Sequence, residues 1–192
     1  MYFFFSCNSI DKNDRVKKSE INLLSEKINK NPSNTDALLK RAIYNLDKNK
    51  YESALFDLKQ CLLLDSLNSE FNFLAAQSYF EISKYDKNKS DYGKLALKCI
   101  KNSVSSDANN YLALSLYGEI NIAYAKYKEA IDLFNQSLNI EYNQFNVHHL
   151  MGYAFKQLNQ LDIAINCFQN SISVNPSDIQ SYIEIGLIYQ LR

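Results

Sequence analysis

The feature that most constrains this chain is a stretch of sequence that repeats at a fixed interval. Residues 126–142 read KYKEAIDLFNQSLNIEY, and residues 160–176 read QLDIAINCFQNSISVNP. Three apolar positions of the first stretch recur 34 positions later in the second: Ala130, Phe134 and Leu138 become Ala164, Phe168 and Ile172. A period of this length indicates stacked copies of one small unit, because a single unit cannot bury its apolar face alone.

Small residues follow the same period over most of the chain. Gly118, Gly152 and Gly186 lie 34 positions apart, and Ala42 and Ala76 take the corresponding places upstream. A second small position lies further along each unit, at Ala54, Ala96, Ala130 and Ala164. The interval from Ala54 to Ala96 is 42 positions, so the second unit carries eight extra residues.

Each unit contains two apolar stretches of helical period. The first has its small residue in the middle, and the second has one near its start. Small residues at these places let two antiparallel helices approach closely, since a larger side chain would hold them apart. With 4 Gly and 2 Pro in 192 residues, the chain has few helix breakers. The pattern therefore predicts helical hairpins that stack.

These positions resemble the tetratricopeptide repeat family. The landmarks of the family appear in the fourth unit as Gly152, Phe155, Ala164, Phe168 and Pro176. The first unit matches through Leu38, Ala42, Tyr51, Ala54, Leu58 and Leu62, and the third through Leu114, Gly118, Tyr127, Ala130, Phe134 and Leu138. The place where the family favours Trp holds Leu38, Asn72, Leu114 and His148. The resemblance implies an all-α fold, a right-handed α-solenoid of stacked helical hairpins.

The repeat boundaries predict how the chain is organised. Residues 1–19 form an N-terminal tether, and residues 20–192 form the repeat array. The array comprises a leading helix at 20–31, units at 35–68, 69–110, 111–144 and 145–178, and a final helix at 179–192. That final helix is apolar almost all round, so we expect either that a partner covers it or that the natural chain continues beyond Arg192.

Charge and cysteine spacing argue against several other classes of protein. Lys+Arg 21 and Asp+Glu 21 balance without a long run of one sign, so no nucleic-acid partner is predicted. No two cysteines have the Cys-x-x-Cys spacing, and three of the four lie in apolar segments as expected of core thiols. His148 and His149 point about 100° apart on a helix, which does not suit a shared metal ion.

No catalytic motif is visible in the sequence. It lacks a Gly-rich phosphate loop, a Gly-x-Ser-x-Gly elbow and a His-Glu-x-x-His pair. Residues 86–93 begin like a calcium loop, but Asp91 stands where that loop needs Gly and Leu97 where it needs Glu. We therefore predict a protein that is not an enzyme and needs no metal and no cofactor.

The family resemblance implies a binding groove whose inner wall comes from the first helix of each unit. Positions i, i+3, i+7 and i+10 of a helix share one face. The candidate partner-binding residues on that face are Leu39, Ile43, Phe73, Gln77, Phe80, Ser115, Glu119, Ile122, His149, Tyr153 and Lys156. The alternative is that the apolar members of this set pack against neighbouring units.

The predicted function is therefore a protein-protein interaction scaffold that binds a peptide segment or helix of a partner in this groove. One alternative is a regulatory module of a longer protein whose catalytic part lies beyond the C-terminus. The other is a structural protein that self-assembles as a homodimer through residues 179–192.

The N-terminus suggests a membrane anchor. The apolar run at residues 2–5 precedes Ser6 and Cys7, as in a bacterial lipoprotein signal, and a polar tether follows. Such a signal needs a basic start and a longer apolar core, which an upstream start codon would supply. The alternative is a disordered tip with a free cysteine. These interpretations predict a bacterial cell-envelope location with a lipid on Cys7, or a cytoplasmic location without one.

Overall fold

A computed structural model describes residues 20–85 and 90–190 of the chain. Every regular element in these two ranges is an α-helix, arranged as stacked helical hairpins, so the predicted all-α fold is confirmed. The helices are α1 (20–30), α2 (Thr35–Asp47), α3 (Tyr51–Leu64), α4 (Ser69–Tyr85), α5 (Ser90–Ser106), α6 (Tyr111–Ala123), α7 (Tyr127–Ile140), α8 (Phe145–Gln157), α9 (Leu161–Val174) and α10 (Ile179–Gln190).

The described residues divide into two compact units, and the boundary between them falls between Gly93 and Lys94. In the first unit, α2 packs against α3 and α3 packs against α4. In the second unit, α6 packs against α7, α7 against α8, α8 against α9 and α9 against α10. Helix α2 also lies beside α4, and α6 lies beside α8. Within each unit, the first helices of successive hairpins are therefore neighbours.

One turn geometry connects the two helices of the hairpins α2–α3, α6–α7 and α8–α9. Each turn contains one residue with a left-handed backbone: Asn49 at φ 55°, Ala125 at φ 55° and Asn159 at φ 58°. Asparagine tolerates this conformation better than most residues, whereas Ala125 adopts it at a steric cost. The common geometry aligns the second helix of each hairpin on the first in the same way.

The core explains why small residues recur. Leu58, Ile100, Phe134 and Phe168 occupy equivalent positions in the four second helices, and all are fully buried. A Cβ atom placed on Gly152 would lie only 2.7 Å from Cδ1 of Phe168. A Cβ atom on Gly118 would likewise overlap the Phe134 ring. Both glycines are therefore required by a ring that packs directly on the helix backbone.

The described cysteines also belong to the core. Cys61, Cys99 and Cys167 are buried and free. Burial raises the pKa of Cys61 and of Cys167 to about 11, and it raises the pKa of Cys99 as well. These thiols therefore stay protonated near neutral pH and act as small apolar side chains. Cys7 lies outside the described residues.

Candidate functional site

Helix α2 contributes Leu39 and Ile43 to the predicted binding face. The side chain of Ile43 is 38% exposed. Leu39 is half-buried and packs against a core cluster formed by Leu38, Cys61 and Phe71. Ile43 therefore offers apolar surface to a ligand, whereas Leu39 divides its surface between the core and the solvent.

Helix α4 contributes Phe73, Gln77 and Phe80. Phe73 and Gln77 are half-buried, but Phe80 is only 4% exposed. The Nζ atom of Lys84 lies 4.3 Å from the centroid of the Phe80 ring, in a cation-π contact. Helix α4 lies beside α2, and among the candidates on these two helices Ile43 is the most exposed, Phe73 is half-buried and Phe80 is buried.

Helix α6 presents a more polar set of candidates, Ser115, Glu119 and Ile122. All three are half-buried. The Ser115 hydroxyl donates a hydrogen bond to the Leu112 carbonyl oxygen within the same helix, at 3.0 Å. Ile122 packs against the core cluster that contains Phe134. On this helix, Ile122 therefore contributes to the core, and Ser115 and Glu119 are only partly accessible to a ligand.

The candidates on α8 are held in place by neighbouring helices. His149 Nδ1 lies 2.8 Å from the Ser181 hydroxyl of α10, and Lys156 forms an ion pair with Glu184 of α10. Lys156 Nζ also lies 5.9 Å from the centroid of the Tyr153 ring. These contacts bring His149, Tyr153 and Lys156 to one surface beside α10 and restrict their side-chain motion.

The half-buried His149 belongs to a polar cluster with the buried Ser181 and Asp178. The Ser181 hydroxyl donates to Asp178 Oδ2 at 2.5 Å, and His149 Nδ1 lies 3.6 Å from the same oxygen. A nucleophilic triad places the histidine between the hydroxyl and the carboxylate. Here the hydroxyl lies between the other two groups and is fully buried, so the cluster fastens α8 to α10 and does not form a nucleophile.

Sequence reasoning missed two serines that connect successive hairpins. The Ser137 hydroxyl donates to the Tyr111 carbonyl oxygen at 2.8 Å and accepts from Gln144 Nε2 at 2.9 Å. Ser171 Oγ lies 2.7 Å from the Phe145 carbonyl oxygen and 2.6 Å from Asp178 Oδ2. The signal was available, because these two serines are 34 positions apart in otherwise apolar stretches.

The two junctions differ in charge, because Gln144 is neutral and Asp178 is a carboxylate. Burial by itself raises the pKa of Asp178, but hydrogen bonds from Ser171 and Ser181 and the nearby His149 outweigh it. The pKa of Asp178 is therefore lower than usual, and the carboxylate is ionised at neutral pH.

Sequence reasoning also missed an ion pair in the first unit, between the partly buried Arg41 and the buried Asp57. Arg41 binds Asp57 through two hydrogen bonds, from Nε at 2.8 Å and from Nη2 at 2.7 Å. Arg41 Nη1 also donates to the Ser25 hydroxyl at 3.1 Å. The hydrogen bond to Asp57 raises the pKa of Arg41, despite the opposing effect of burial. This group joins α1, α2 and α3.

The described residues contain no group of three or more His, Cys, Asp and Glu side chains placed to hold a metal ion. Among the described helices, none has the length and apolar character needed to span a bilayer. The candidate residues on these helices are apolar side chains, aromatic rings and a few hydrogen-bonding groups, which are the groups found in protein-protein interfaces.

Comparison with known proteins places this architecture among repeat proteins. Residues 145–178 match the sequence model described as Tetratricopeptide repeat. The crystal structure of MamA protein resembles this chain with a TM-score of 0.71 at 17% identity, over 88% of this chain and 90% of that one. At this identity the likeness concerns the fold alone.

Two fungal proteins are similar in sequence. Protein bimA of Emericella nidulans is 24% identical over 135 residues, which is 69% of this chain. Anaphase-promoting complex subunit 3 of Schizosaccharomyces pombe is 25% identical over 95 residues, or 50% of this chain. The matches span only 17% and 14% of the lengths of those two proteins.

Proposed function

We propose that this chain is a tetratricopeptide repeat protein and that it acts as a non-enzymatic scaffold, which binds a segment of a partner protein on the first helices of its repeats. The observation that carries the proposal is the accessible apolar surface of α2 and α4. Ile43 is 38% exposed and Phe73 is half-buried, on two helices that lie side by side.

The chemistry of each unit suggests what it would contact. Ile43 and Phe73 can receive an apolar side chain, because burial of exposed apolar surface stabilises a complex. In the second unit, the Tyr153 ring and the Lys156–Glu184 ion pair favour hydrogen bonds and aromatic contacts. A segment bound to the first unit would therefore place apolar residues on α2 and α4, and a segment bound to the second unit would place polar groups on α8.

A similar protein supports the coarse form of this proposal. One of the two fungal relatives is, by its name, a subunit of the anaphase-promoting complex, and so belongs to a multiprotein assembly. Repeat proteins in general present extended surfaces to their partners, because each repeat contributes one helix to a continuous face.

The test is a comparison of two sets of alanine variants in an affinity capture from the source cell, read by mass spectrometry. The first set replaces Ile43, Phe73 and Tyr153. The matched control replaces Phe56 and Leu63, which are 66% and 79% exposed on the second helix of the first hairpin. Circular dichroism confirms that both variants remain helical.

We expect the first set to lose the specific partners and the control to keep them. Loss of the same partners from the control alone would overturn the proposal and place the contact on α3. Retention of all partners by both variants would overturn it as well.

We also propose that a lipid on Cys7 anchors the protein in a bacterial cell envelope, and this rests on the sequence alone. The Cys7→Ser variant should then move from the membrane fraction to the soluble fraction. An unmodified protein that is already soluble would contradict the anchor and favour a cytoplasmic location.

A further inference from the structure

A chain of hydrogen bonds joins the imidazole of His149 on α8 to a carboxylate just before α10. His149 Nδ1 lies 2.8 Å from the Ser181 hydroxyl oxygen, which lies 2.5 Å from Asp178 Oδ2. The pKa of Asp178 is lower than usual, so its carboxylate is ionised at neutral pH and can only accept hydrogen bonds. The Ser181 hydroxyl must therefore use its single proton to donate to Asp178.

This arrangement fixes the position of the proton on His149. Because the Ser181 hydroxyl has no second proton, its contact with His149 is a hydrogen bond that Nδ1–H donates. The Asp178 carboxylate, whose Oδ2 lies 3.6 Å from Nδ1, favours a proton at that nitrogen as well. A neutral imidazole carries one proton, so Nε2 of His149 keeps a lone pair that can accept a hydrogen bond.

The Nε2 atom of His149 is available to a ligand. In the described ranges 20–85 and 90–190, no group forms a hydrogen bond with it, and the side chain is 25% exposed. The centroid of the Phe168 ring lies 5.3 Å from that of the imidazole and restricts its rotation. Tyr153 and Lys156 follow four and seven positions later on the same side of α8. An oriented hydrogen-bond acceptor therefore lies on the predicted binding face.

The neighbouring His148 is protonated on the other nitrogen. Its Nε2 lies 3.1 Å from the carbonyl oxygen of Tyr142, which can only accept a hydrogen bond. Nε2 therefore carries the proton of His148, and this residue is only 3% exposed. The two histidines of the chain thus have opposite tautomers, and His148 serves as an internal reference for His149.

We propose that His149 is a specificity-determining residue of the binding face on α8: its proton is held on Nδ1, and its Nε2 accepts a hydrogen bond from an N–H or O–H group of the bound segment. Asp178 and Ser181 act through His149 as positioning residues. A side-chain amide, a hydroxyl or a backbone N–H satisfies this acceptor, whereas a carboxylate cannot donate to it. The inference rests on the scaffold function proposed above and adds the chemistry of the ligand at α8.

The first test measures the two tautomers directly, without any partner. Long-range proton–nitrogen correlation spectra of the full chain, labelled with nitrogen-15, are recorded at about pH 8, where an ordinary imidazole is neutral. The His148→Leu variant assigns the signals, because it leaves His149 as the only histidine. We expect the proton of His149 on Nδ1 and that of His148 on Nε2. A proton on Nε2 of His149, alone or in addition to one on Nδ1, would overturn the proposal.

Replacement of the carboxylate by an amide should reverse the chain of hydrogen bonds. An amide N–H at position 178 can donate to the Ser181 oxygen, and the hydroxyl then donates its own proton to Nδ1 of His149. In the Asp178→Asn variant, Nε2 should therefore carry the proton, as after the same exchange in a Ser-His-Asp triad.

The exposed Asp132→Asn is the control for this exchange and should leave both tautomers unchanged. Circular dichroism checks that both asparagine variants fold. A His149 tautomer that stays the same in Asp178→Asn would remove the positioning role of the carboxylate and overturn the proposal.

The ligand is tested in the affinity capture described above, with the variants His149→Gln and His149→Phe. Both variants lose the bond to Ser181, but the glutamine oxygen lies near the place of Nε2 and can accept, whereas phenylalanine keeps only the ring shape. We expect His149→Gln to keep the partners, and His149→Phe to recover them at least about fivefold less, because a donor of the ligand is left unpaired. Equal recovery by the two variants would overturn the proposal.

The scaffold proposal and this inference fail in different ways. If the variant at Ile43, Phe73 and Tyr153 keeps all partners, the scaffold proposal is overturned and this inference falls with it, whatever the tautomer. If that variant loses its partners but His149 carries its proton on Nε2, the scaffold proposal stands and only this inference is overturned.

Discussion

Helices α8 and α10 carry equivalent sequence positions, but a second helix covers the aromatic side of α8 and none of the described helices covers that of α10. Gly152 meets the Phe168 ring, and Gly186 meets no described atom within 4 Å. The residue four positions before the glycine is His148 on α8, which is 3% exposed, and Tyr182 on α10, which is 53% exposed. A repeated position therefore gains its energetic importance from the helix packed on it, and not from its residue type alone.

Removal of the Phe168 ring, which packs against Gly152 of α8, should have the largest effect on stability. We expect Phe168→Ala to lower the free energy of unfolding by about 3–5 kcal/mol, because it leaves a cavity at a fully buried position. The exposed Tyr182→Ala should change it by less than about 0.5 kcal/mol. Urea denaturation followed by circular dichroism measures both. Similar costs for the two variants would remove the distinction between the covered and the open helix.

Addition of a methyl group at Gly152 or Gly118 should have the next largest effect on stability. Gly152→Ala should cost about 1–3 kcal/mol, because the Phe168 ring must move to admit the Cβ atom. Gly118→Ala should behave in the same way against Phe134. The measurement is the midpoint of urea unfolding. A midpoint equal to that of the unmodified protein would mean that these rings shift freely.

The junction that fastens α10 should be sensitive to acid. The folded-state pKa of Asp178 lies below its ordinary value of 3.8, so its stabilising effect is present above pH 3.8 and is lost as the pH falls through the folded value. Asp178→Asn should lower the melting temperature at pH 7 and reduce its dependence on pH below about 4. The exposed Asp132→Asn is the control. Identical acid profiles for all three proteins would contradict the role assigned to this carboxylate.

A smaller pH effect is expected at His148, which lies on the covered face of α8. Burial lowers the pKa of His148 from 6.5, against the opposing effect of its hydrogen bond to the Tyr142 carbonyl oxygen. Protonation therefore favours the unfolded chain, and stability is lost as the pH falls from about 6.5 through the folded value.

His148→Leu, which copies the buried Leu114 of α6, should remove this loss. Melting temperatures at pH 7.5 and pH 5.0 test the difference. A fall of equal size in the leucine variant would assign the loss to other groups.

The smallest expected effect is a gain in stability at the open position. Gly186→Ala should raise the free energy of unfolding by about 0.5–1 kcal/mol, because alanine favours a helix interior and no described atom obstructs the added methyl group. The sign is therefore opposite to that at Gly152. Thermal unfolding of the two alanine variants side by side provides the measurement, and a destabilised Gly186→Ala would show that a helix already covers this site in solution.

Much of the fold followed from the spacing of a few residue types. The recurrence of Gly118, Gly152 and Gly186, and of Phe134 and Phe168, predicted paired helices in contact at these points, and the structure has them. Less of the candidate site could be anticipated. Phe80 shares the predicted face, yet it is 4% exposed with Lys84 over its ring, because one helical face contains both accessible and buried positions.

The helical class, the 34-residue period and the pairing of residues within a hairpin can be read from the sequence, because these features depend on spacing along one or two helices. Which polar residues become partners depends on the packing of the helices, as in Arg41 with Asp57 and Ser171 with Asp178. The same packing places the Phe168 ring against Gly152 and leaves no described atom within 4 Å of the Cβ position of Gly186. The physical reason is that burial and hydrogen bonding depend on the neighbouring helix, whose side chains and position the local pattern does not specify.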